Sequence, residues 1–315
     1  MENKSSQAIV QLLTKLNKVS VEDALRRGCL PFYISNKQVG LIRPDFWQHL
    51  QAFDQVFTKV DAQGTKTGDL KSGVHISSNL TTPAERTKAV NDVLEKLRKD
   101  DVIGALRGWR HEKYNVSQRY SDEPLMEIER AGSGLFGFIQ YGVHINGYTR
   151  DKDGERMMWI GRRSKTKQTF PDMYDNMCAG GLSSDLGVTE CVRKECQEEA
   201  SVSDKVLEGL QFVGTISYFY EDDRGLFPEC QFVYDLEVPA DFQPVNADGE
   251  VESFHKVSMQ EVVDLVRGSV TCPTSAGVCL DFLVRHGVLC PDEDPNVSFY
   301  VEQLHAPLQT YYAGK

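Results

Sequence analysis

The sequence predicts an α/β protein with two domains: a small α+β domain over residues 1–124 and an α/β/α sandwich around a mixed sheet over residues 125–315. In the second domain, predicted strands flank a central acidic helix, and such an arrangement favours layers of helices packed on a sheet. The chain has 315 residues, of which 40% are hydrophobic and 26% charged. This length allows two separate cores.

The first domain is predicted from helical periodicity and from short apolar runs. Helical spacing occurs over residues 6–19, 44–58 and 82–98, and the last of these begins with a hydroxyl cap and a proline in its first turn. Residues 31–34 and 38–42 fit two strands joined by a tight turn. Residues 100–116 mix aromatic with charged side chains, and we interpret them as a segment that caps the domain.

The second domain begins with residues 135–148, whose apolar, β-branched and aromatic content predicts a strand. A turn at residues 151–154 leads into a returning strand at 156–161. Further strands are predicted at residues 210–220, 229–238 and 250–254. Helices are predicted after residue 187, from residue 257 and over residues 273–286.

Charge and cysteine content narrow the class of protein. The net charge of −11 argues against nucleic acid or an anionic membrane as the main partner. The eight cysteines form no Cys-x-x-Cys pair, which indicates free thiols in a reducing compartment. No apolar run has the length of a membrane span, and no signal-peptide core is present. We expect a cytoplasmic protein, with an organelle transit peptide as the alternative, although Glu2 and Glu22 argue against one; no oligomeric state is predicted.

The chemistry is predicted to centre on residues 179–202. Glu195, Glu198 and Glu199 stand at positions i, i+3 and i+4, which places three carboxylates on one helical face with Cβ atoms about 5–6 Å apart. Because like charges repel, a divalent cation such as Mg²⁺ would stabilise this arrangement and leave ligand positions for a phosphate substrate. The alternative is a solvated acidic face with Lys194 and Arg193 as counter-charges.

A basic cluster precedes Gly180 and Gly181, two glycines that permit close approach of the backbone to a ligand. The cluster follows a predicted strand and contains four cations, Arg162, Arg163, Lys165 and Lys167. A guanidinium can bind two phosphate oxygens at once, while a lysine acts as a point charge. The cluster is therefore a candidate diphosphate contact, with an ordinary solvated face as the alternative.

Residues 180–202 resemble the Nudix box, in which a glycine, five residues, a glutamate and seven residues precede R-E-U-x-E-E-x-G-U, with U aliphatic. Here the final run is KECQEEASV at residues 194–202. Lysine replaces the arginine and serine replaces the late glycine. Leu186 stands where the upstream glutamate belongs if the box opens at Gly180. All three glutamates of the final run are present.

The resemblance extends beyond the box. Residues 142–148, 159–164, 175–176 and 232–236 are similar to the thiamine-pyrophosphokinase-related Nudix subfamily, whose members carry an extra N-terminal domain. This resemblance implies a Nudix-type sandwich and a hydrolase that converts thiamine diphosphate, or damaged analogues of it, to the monophosphate. A hydrolase of ADP-ribose or another nucleoside diphosphate derivative is the alternative enzyme, and a non-catalytic binding module is the alternative from another class.

The resemblance also implies roles for individual residues. It implies Mg²⁺, or Mn²⁺, held by the three glutamates and the carbonyl of Gly180, and it makes Lys194 the residue that holds Glu195 in place. Hydrolysis also needs a base to accept a proton from water. The candidates outside the box are Glu250, Glu252 and Glu221, of which we choose Glu250. Aromatic rings would stack on the organic part of the substrate, and the candidates, with core packing as the alternative, are Trp159, Tyr218, Phe219 and Tyr220.

Overall fold

The computed structural model describes residues 4–61 and 71–313. In the N-terminal part, the strands are β1 (Leu30–Ile34), β2 (Lys37–Ile42), β3 (Phe57–Val60), β4 (Gly73–Ile76), β5 (Lys113–Val116) and β6 (Met126–Glu129). The helices are α1 (Lys4–Leu16), α2 (Val21–Arg26), α3 (Pro44–Leu50), α4 (Pro83–Lys99) and α5 (Arg130–Ser133), with a 3₁₀ helix at Gly104–Gly108. This part combines helices and strands, as the sequence predicts.

The N-terminal sheet has the strand order β2-β1-β4-β3, in which β1 and β4 run parallel. Helix α4 begins at the cap predicted from the sequence. The Thr82 hydroxyl accepts a hydrogen bond from the Glu85 amide, and the Glu85 carboxylate accepts one from the Thr82 amide. These reciprocal bonds satisfy two backbone donors that the first turn of a helix leaves free.

Two local predictions in this region have different outcomes. The turn between β1 and β2 is confirmed, and Ser35 and Asn36 both have positive φ, as a tight hairpin requires. The helix predicted over residues 44–58 is too long. Helix α3 ends at Leu50 because residues 57–60 are needed to pair with β4.

In the C-terminal part, the strands are β7 (Gln140–Arg150), β8 (Arg156–Arg163), β9 (Tyr174–Asp175), β10 (Cys178–Gly181), β11 (Gln211–Asp222), β12 (Gly225–Glu237) and β13 (Val251–Ser258). The main sheet has the order β11-β12-β7-β8-β13, with β10 beside β7 and β9 beside β8. Strands β7 and β12 are parallel, whereas β11 and β12 are antiparallel. The prediction of a mixed sheet is confirmed.

Helices cover both faces of this sheet. They are α6 (Val188–Ala200), α7 (Asp204–Leu207), α8 (Met259–Arg267), α9 (Pro273–Arg285), α10 (Val297–Gln303) and α11 (Leu308–Ala313). Trp159 packs on the face that α6 covers, while Met158 and Ile160 pack on the face that α8 and α9 cover. Neighbouring strand residues point to opposite faces, so one strand contributes to two cores and the α/β/α sandwich follows.

Helix α1 packs in the core of the C-terminal part. Ile9, Leu13 and Leu16 are buried there with residues of α8, α9 and α10. Conversely, Phe136 and Phe138 pack in the core of the N-terminal part. The division at residue 125 remains a proposal, since a single cut in the chain does not separate the residues of the two cores.

Six of the eight cysteines are buried, and the other two are partly exposed. All eight cysteines are free, as predicted. Within residues 4–61 and 71–313, no helix is both long enough and apolar enough to cross a membrane.

The position of α1 generates a prediction. Leu13→Ala removes a fully buried side chain from the C-terminal core and is expected to lower the free energy of unfolding by about 3 kcal/mol. Urea unfolding measures the change. Leu25→Ala is the control because Leu25 is 41% exposed, and it is expected to cost no more than about 0.5 kcal/mol. Equal losses in the two variants would contradict this position for α1.

Candidate active site

Helix α6 carries the acidic residues of the candidate site. Its buried stripe packs against the sheet and consists of Cys191, Val192, Cys196 and Ala200. This packing turns Glu195 and Glu199 inward, with side chains 13% and 6% exposed. Glu198 lies at the edge of the site, with 48% of its side chain exposed.

Strand β10 places Gly180 directly against the Glu195 carboxyl group. A Cβ atom at position 180 would overlap the Cδ and Oε1 atoms of Glu195, so only glycine leaves room for this carboxylate. Burial raises the pKa of Glu195. The close approach brings the glycine-rich turn and the acidic helix into one site.

Glu199 joins this site to two distant segments. Its carboxylate accepts a hydrogen bond from the Ala179 amide at 2.9 Å, and burial raises its pKa to about 8. Lys167 Nζ lies 3.5 Å from Glu199 Oε1 and also contacts Glu250. Carboxylate oxygens of Glu199, Asp248 and Glu250 lie within 4.8 Å of one another. The base candidate Glu250 therefore adjoins the acidic helix.

Lys194 bridges the other two glutamates of the helix. Its Nζ atom lies 3.0 Å from Glu198 Oε2 and 3.5 Å from Glu195 Oε1. Although burial acts in the opposite direction, the two carboxylates raise the pKa of Lys194. This geometry supports the positioning role that the resemblance implies for Lys194, and the role itself stays a proposal.

The loop between β10 and α6 is held by the N-terminal part of the chain. The Ser183 hydroxyl donates to Glu112 at 2.7 Å, and the Ser184 amide donates to the carbonyl of Lys113 at 2.8 Å. Arg130 also pairs with Glu112, at 2.8 Å. Leu186, at the position of the absent box glutamate, packs on the core beneath α6. Long-range contacts thus hold a loop whose own motif is incomplete.

Helix α6 ends at the serine that replaces the late glycine of the box. Ser201 has φ 52°, in the left-handed region that glycine adopts most readily. Its hydroxyl donates a hydrogen bond to the carbonyl of Val245 at 2.7 Å. The helix therefore ends in the conformation that the motif requires, with a side-chain contact that glycine cannot make.

The structure separates the members of the basic cluster. Arg163 pairs with Asp175 at 2.5 Å and lines a cavity at the site, and Lys167 reaches the acidic residues. Arg162 is held in an ion pair of 2.8 Å with an aspartate at the surface, and Lys165 is exposed. Of the four cations, Arg163 and Lys167 therefore adjoin the candidate site.

The aromatic candidates lie in two different environments, the protein core and the cavity wall. Trp159 is 4% exposed and lies in the core beneath α6, which corrects its assignment to substrate binding. The ring packs with residues of α6, and Trp159 is not among the residues that line the cavity. Tyr218 and Phe219 are buried as well, whereas Tyr220 lines the cavity.

The cavity has a volume of about 490 Å³ and opens beside Gly180 and Gly181, within the size range of small-molecule sites. The rings of Tyr220 and Phe227 stack in its wall with centroids 5.1 Å apart. The Tyr220 hydroxyl donates to the Glu229 carboxylate at 3.2 Å, and burial raises the pKa of Glu229. The described lining also contains five arginines, Arg107, Arg110, Arg130, Arg163 and Arg224.

The residues present fit a hard divalent cation. The donors are carboxylate oxygens, the ligand type that Mg²⁺ and Mn²⁺ prefer. The raised pKa values of Glu195 and Glu199 show that Lys194 and Lys167 compensate the buried carboxylates only in part. A cation shared by the acidic residues of the helix would supply the missing positive charge.

Several functional candidates are absent from the sequence-based assignment. Asp248 stands before Gly249 in a turn, where aspartate is common without any ligand. Arg110 and Tyr114 belong to the segment that we interpreted as a domain cap, yet both line the cavity. The unusual mixture of aromatic and charged residues in this segment is the sequence signal that points to Arg110 and Tyr114.

The chain is similar to known proteins along nearly its whole length. Residues 8–140 match a domain of unknown function, DUF4743, and residues 140–270 match the NUDIX domain. "Nudix hydrolase 20, chloroplastic" of Arabidopsis thaliana is 33% identical over 94% of this chain and 78% of that protein. "Nudix hydrolase 24, chloroplastic" of the same plant is 36% identical over 86% of this chain and 71% of that protein. Uncharacterized protein YJR142W of Saccharomyces cerevisiae is 38% identical over 71% of this chain and 68% of that protein.

The contact between Gly180 and Glu195 generates a prediction. In Gly180→Ala the added Cβ displaces the Glu195 carboxylate, so Mn²⁺ affinity is expected to fall about tenfold to a hundredfold. Calorimetric titration with Mn²⁺ measures it. Gly187→Ala is the control at the start of α6, because no atom lies within 4 Å of a Cβ there. Unchanged Mn²⁺ affinity in both variants would remove Glu195 from the set of metal ligands.

Proposed function

Because the chain belongs to the Nudix hydrolase family, whose members act on diphosphate bonds, we propose that it converts thiamine diphosphate, or damaged analogues of it, to the monophosphate. The relatives that it matches over most of their length carry the family name. The thiamine substrate is the specific part of the proposal. It is supported by the chemistry of the cavity beside the acidic helix.

The observation that carries the proposal is the pairing of an aromatic wall with a buried carboxylate. Tyr220 and Phe227 line the cavity and stack on each other, and the Arg224 guanidinium lies over the Phe227 ring at 4.7 Å, so Tyr220 is the ring against which a flat heterocycle can pack. Glu229 lies at the same wall, and its carboxylate accepts hydrogen bonds from Tyr218 and Tyr220. A carboxylate in this position can accept a hydrogen bond from an amino group or face a cationic ring. The aminopyrimidine and thiazolium rings of thiamine offer these groups.

The acidic residues would hold the metal. In the proposed site, Glu195, Glu198 and Glu199 bind Mg²⁺ or Mn²⁺, with the Gly180 carbonyl as a further donor. A bound divalent cation neutralises charge on phosphate oxygens. Lys194 keeps two of these carboxylates in place from one side of the helix.

Glu250 is the proposed base. Half of its side chain is exposed, at 51%, so a water molecule can reach the carboxylate. Its carboxylate contacts the Lys167 ammonium. The same lysine faces Glu199, so one side chain places the base next to the proposed metal ligands. Glu252 lies exposed nearby, and Glu221 is paired with Arg27 at 2.6 Å.

A second substrate class is favoured by the arginines of the cavity. ADP-ribose and other nucleoside diphosphate derivatives carry hydroxyl groups and phosphate oxygens, which guanidinium groups bind well. Five arginines in the described lining fit such a molecule, while the pairing of aromatic rings with Glu229 fits thiamine. We retain thiamine diphosphate as the main proposal and the nucleotide derivative as its alternative.

The cellular compartment of the protein is also part of the proposal, and its substrate is a small molecule. Free thiols fit a reducing compartment such as the cytoplasm. The names of the two plant relatives include the word chloroplastic, which supports an organelle as the alternative. Nucleic acid is not proposed as a partner because the net charge is −11.

The reaction is tested by monophosphate release with Mg²⁺ from thiamine diphosphate, its oxidised analogues, ADP-ribose and NADH. We expect turnover of the thiamine compounds, and a fall of at least about a hundredfold in Glu198→Gln, since a metal ligand supports several kcal/mol of charge stabilisation. Turnover of ADP-ribose or NADH alone would exclude thiamine diphosphate as the substrate and would still support the proposed metal site. If no compound is hydrolysed while Mn²⁺ still binds, the result would favour a non-catalytic binding module.

The base assignment gives a separate prediction. Glu250→Gln is expected to lower kcat by about 10²–10⁴-fold, because the amide cannot accept the proton. Glu252→Gln, two residues further along the chain and also exposed, is the matched control and should keep kcat. A similar small effect in both variants would exclude Glu250 as the base.

A further inference from the structure

The N-terminal part of the chain forms one wall of the candidate substrate cavity. Residues from the 3₁₀ helix onward line it, including Gly108, Arg110, Tyr114 and Arg130. All four lie within residues 8–140, which match the domain of unknown function. The opposite wall comes from β7, β10 and β12. The cavity therefore exists only where the two matched regions meet.

Arg110 differs from the other arginines of this cavity. Each of the other four pairs with a carboxylate: Arg107 with Asp101, Arg130 with Glu112, Arg163 with Asp175 and Arg224 with Asp222. Within the described part of the chain, Arg110 has no such partner, and its guanidinium donates only to the carbonyl of Gly108, at 2.9 Å. A half-buried guanidinium without a counter-ion is unusual in a protein with a net charge of −11.

The surroundings of Arg110 increase its need for an anion. Burial and the nearby cations Arg130 and Arg224 lower the pKa of Arg110, while Glu112, which is itself paired with Arg130, acts in the opposite direction. Its backbone is fixed, because the Arg110 amide donates to the buried Glu129 carboxylate at 2.9 Å. The side chain is therefore attached to a rigid support, as a ligand-binding group requires.

The arginine group also reaches the glycine turn of the active site. The Arg130 guanidinium lies over the ring of Tyr114, 5.4 Å from its centroid. Both side chains lie so close to Gly181 that a Cβ there would overlap the Tyr114 hydroxyl and meet the Arg130 guanidinium at 3.1 Å. Gly180, the next residue, contacts Glu195. The cations of the N-terminal part are thus continuous with the acidic site.

We propose that Arg110 binds a phosphate group of the diphosphate substrate, and that the region of unknown function supplies this part of the substrate site. The inference rests on the proposed diphosphatase function. Phosphate oxygens accept two parallel hydrogen bonds from one guanidinium, and this geometry suits a planar group that lacks a carboxylate partner. Arg110 acts in binding and takes no part in proton transfer.

Binding of methylenediphosphonate in Mg²⁺, measured by calorimetry, tests the inference without requiring turnover. Arg110→Gln should weaken this affinity by about tenfold to a hundredfold, the effect of one charge-assisted hydrogen bond or a pair of them. Arg110→Lys should recover part of the loss. Arg119→Gln is the matched control, since Arg119 is an exposed arginine of the same N-terminal part and does not line the cavity. It should bind like the unmodified protein.

Kinetics on whichever diphosphate is hydrolysed provide the second measurement. Removal of Arg110 should raise KM by a similar factor and leave kcat nearly unchanged, since a binding contact present in both ground and transition states is lost. Equal affinities for methylenediphosphonate in Arg110→Gln and Arg119→Gln would overturn the inference. If affinity falls in Arg110→Gln alone but no substrate is hydrolysed, the role of Arg110 stands and the proposed function fails.

Discussion

The candidate active site depends on one close approach, between the Glu195 carboxyl group and the backbone of Gly180. Helix α6 can lie this near to β10 because position 180 has no side chain, and the apolar stripe of the helix keeps it there. The same approach lets the Ala179 amide donate to Glu199. A small volume of empty space at one residue therefore sets the positions of two carboxylates and brings them to the mouth of a cavity.

Burial of acidic groups at this contact has an electrostatic cost, and distant segments offset it. Lys194 comes from the helix itself, whereas Lys167 comes from the loop after β8 and meets Glu199 and Glu250. Glu112 and Arg130 then tie the loop before α6 to the N-terminal part. The incomplete box motif is consistent with this arrangement, because contacts from other elements hold the loop and the carboxylates in place.

The sequence predicts features that depend on neighbouring residues, but it does not predict which distant segments meet at the site. The helix, its three glutamates, the glycines and most strands follow from spacing and periodicity within short segments. Asp248 carries no local mark of a ligand, because aspartate is common in a turn before glycine and its neighbour Glu199 lies on a separate helix. Arg110 lies in a segment of unusual composition, but that composition alone does not show that the side chain meets β7, β10 and β12 at a cavity. Trp159 illustrates the opposite error: an aromatic residue in a strand faces one of two cores or a cavity, and the sequence does not tell which. The extent of α3 was misjudged because pairing of residues 57–60 with β4 overrides local helical periodicity.

The burial of α1 among α8, α9 and α10 has a consequence for synthesis on the ribosome. Leu13 is made early, but its partner Val262 follows 249 residues later. At typical elongation rates of about 5–20 residues per second, the apolar face of α1 stays uncovered for roughly 10–50 seconds. During this interval the N-terminal sheet can already complete its own core, whereas the C-terminal sandwich waits for its last helices. During this interval the nascent chain exposes a hydrophobic helix, a surface suited to transient protection by a chaperone.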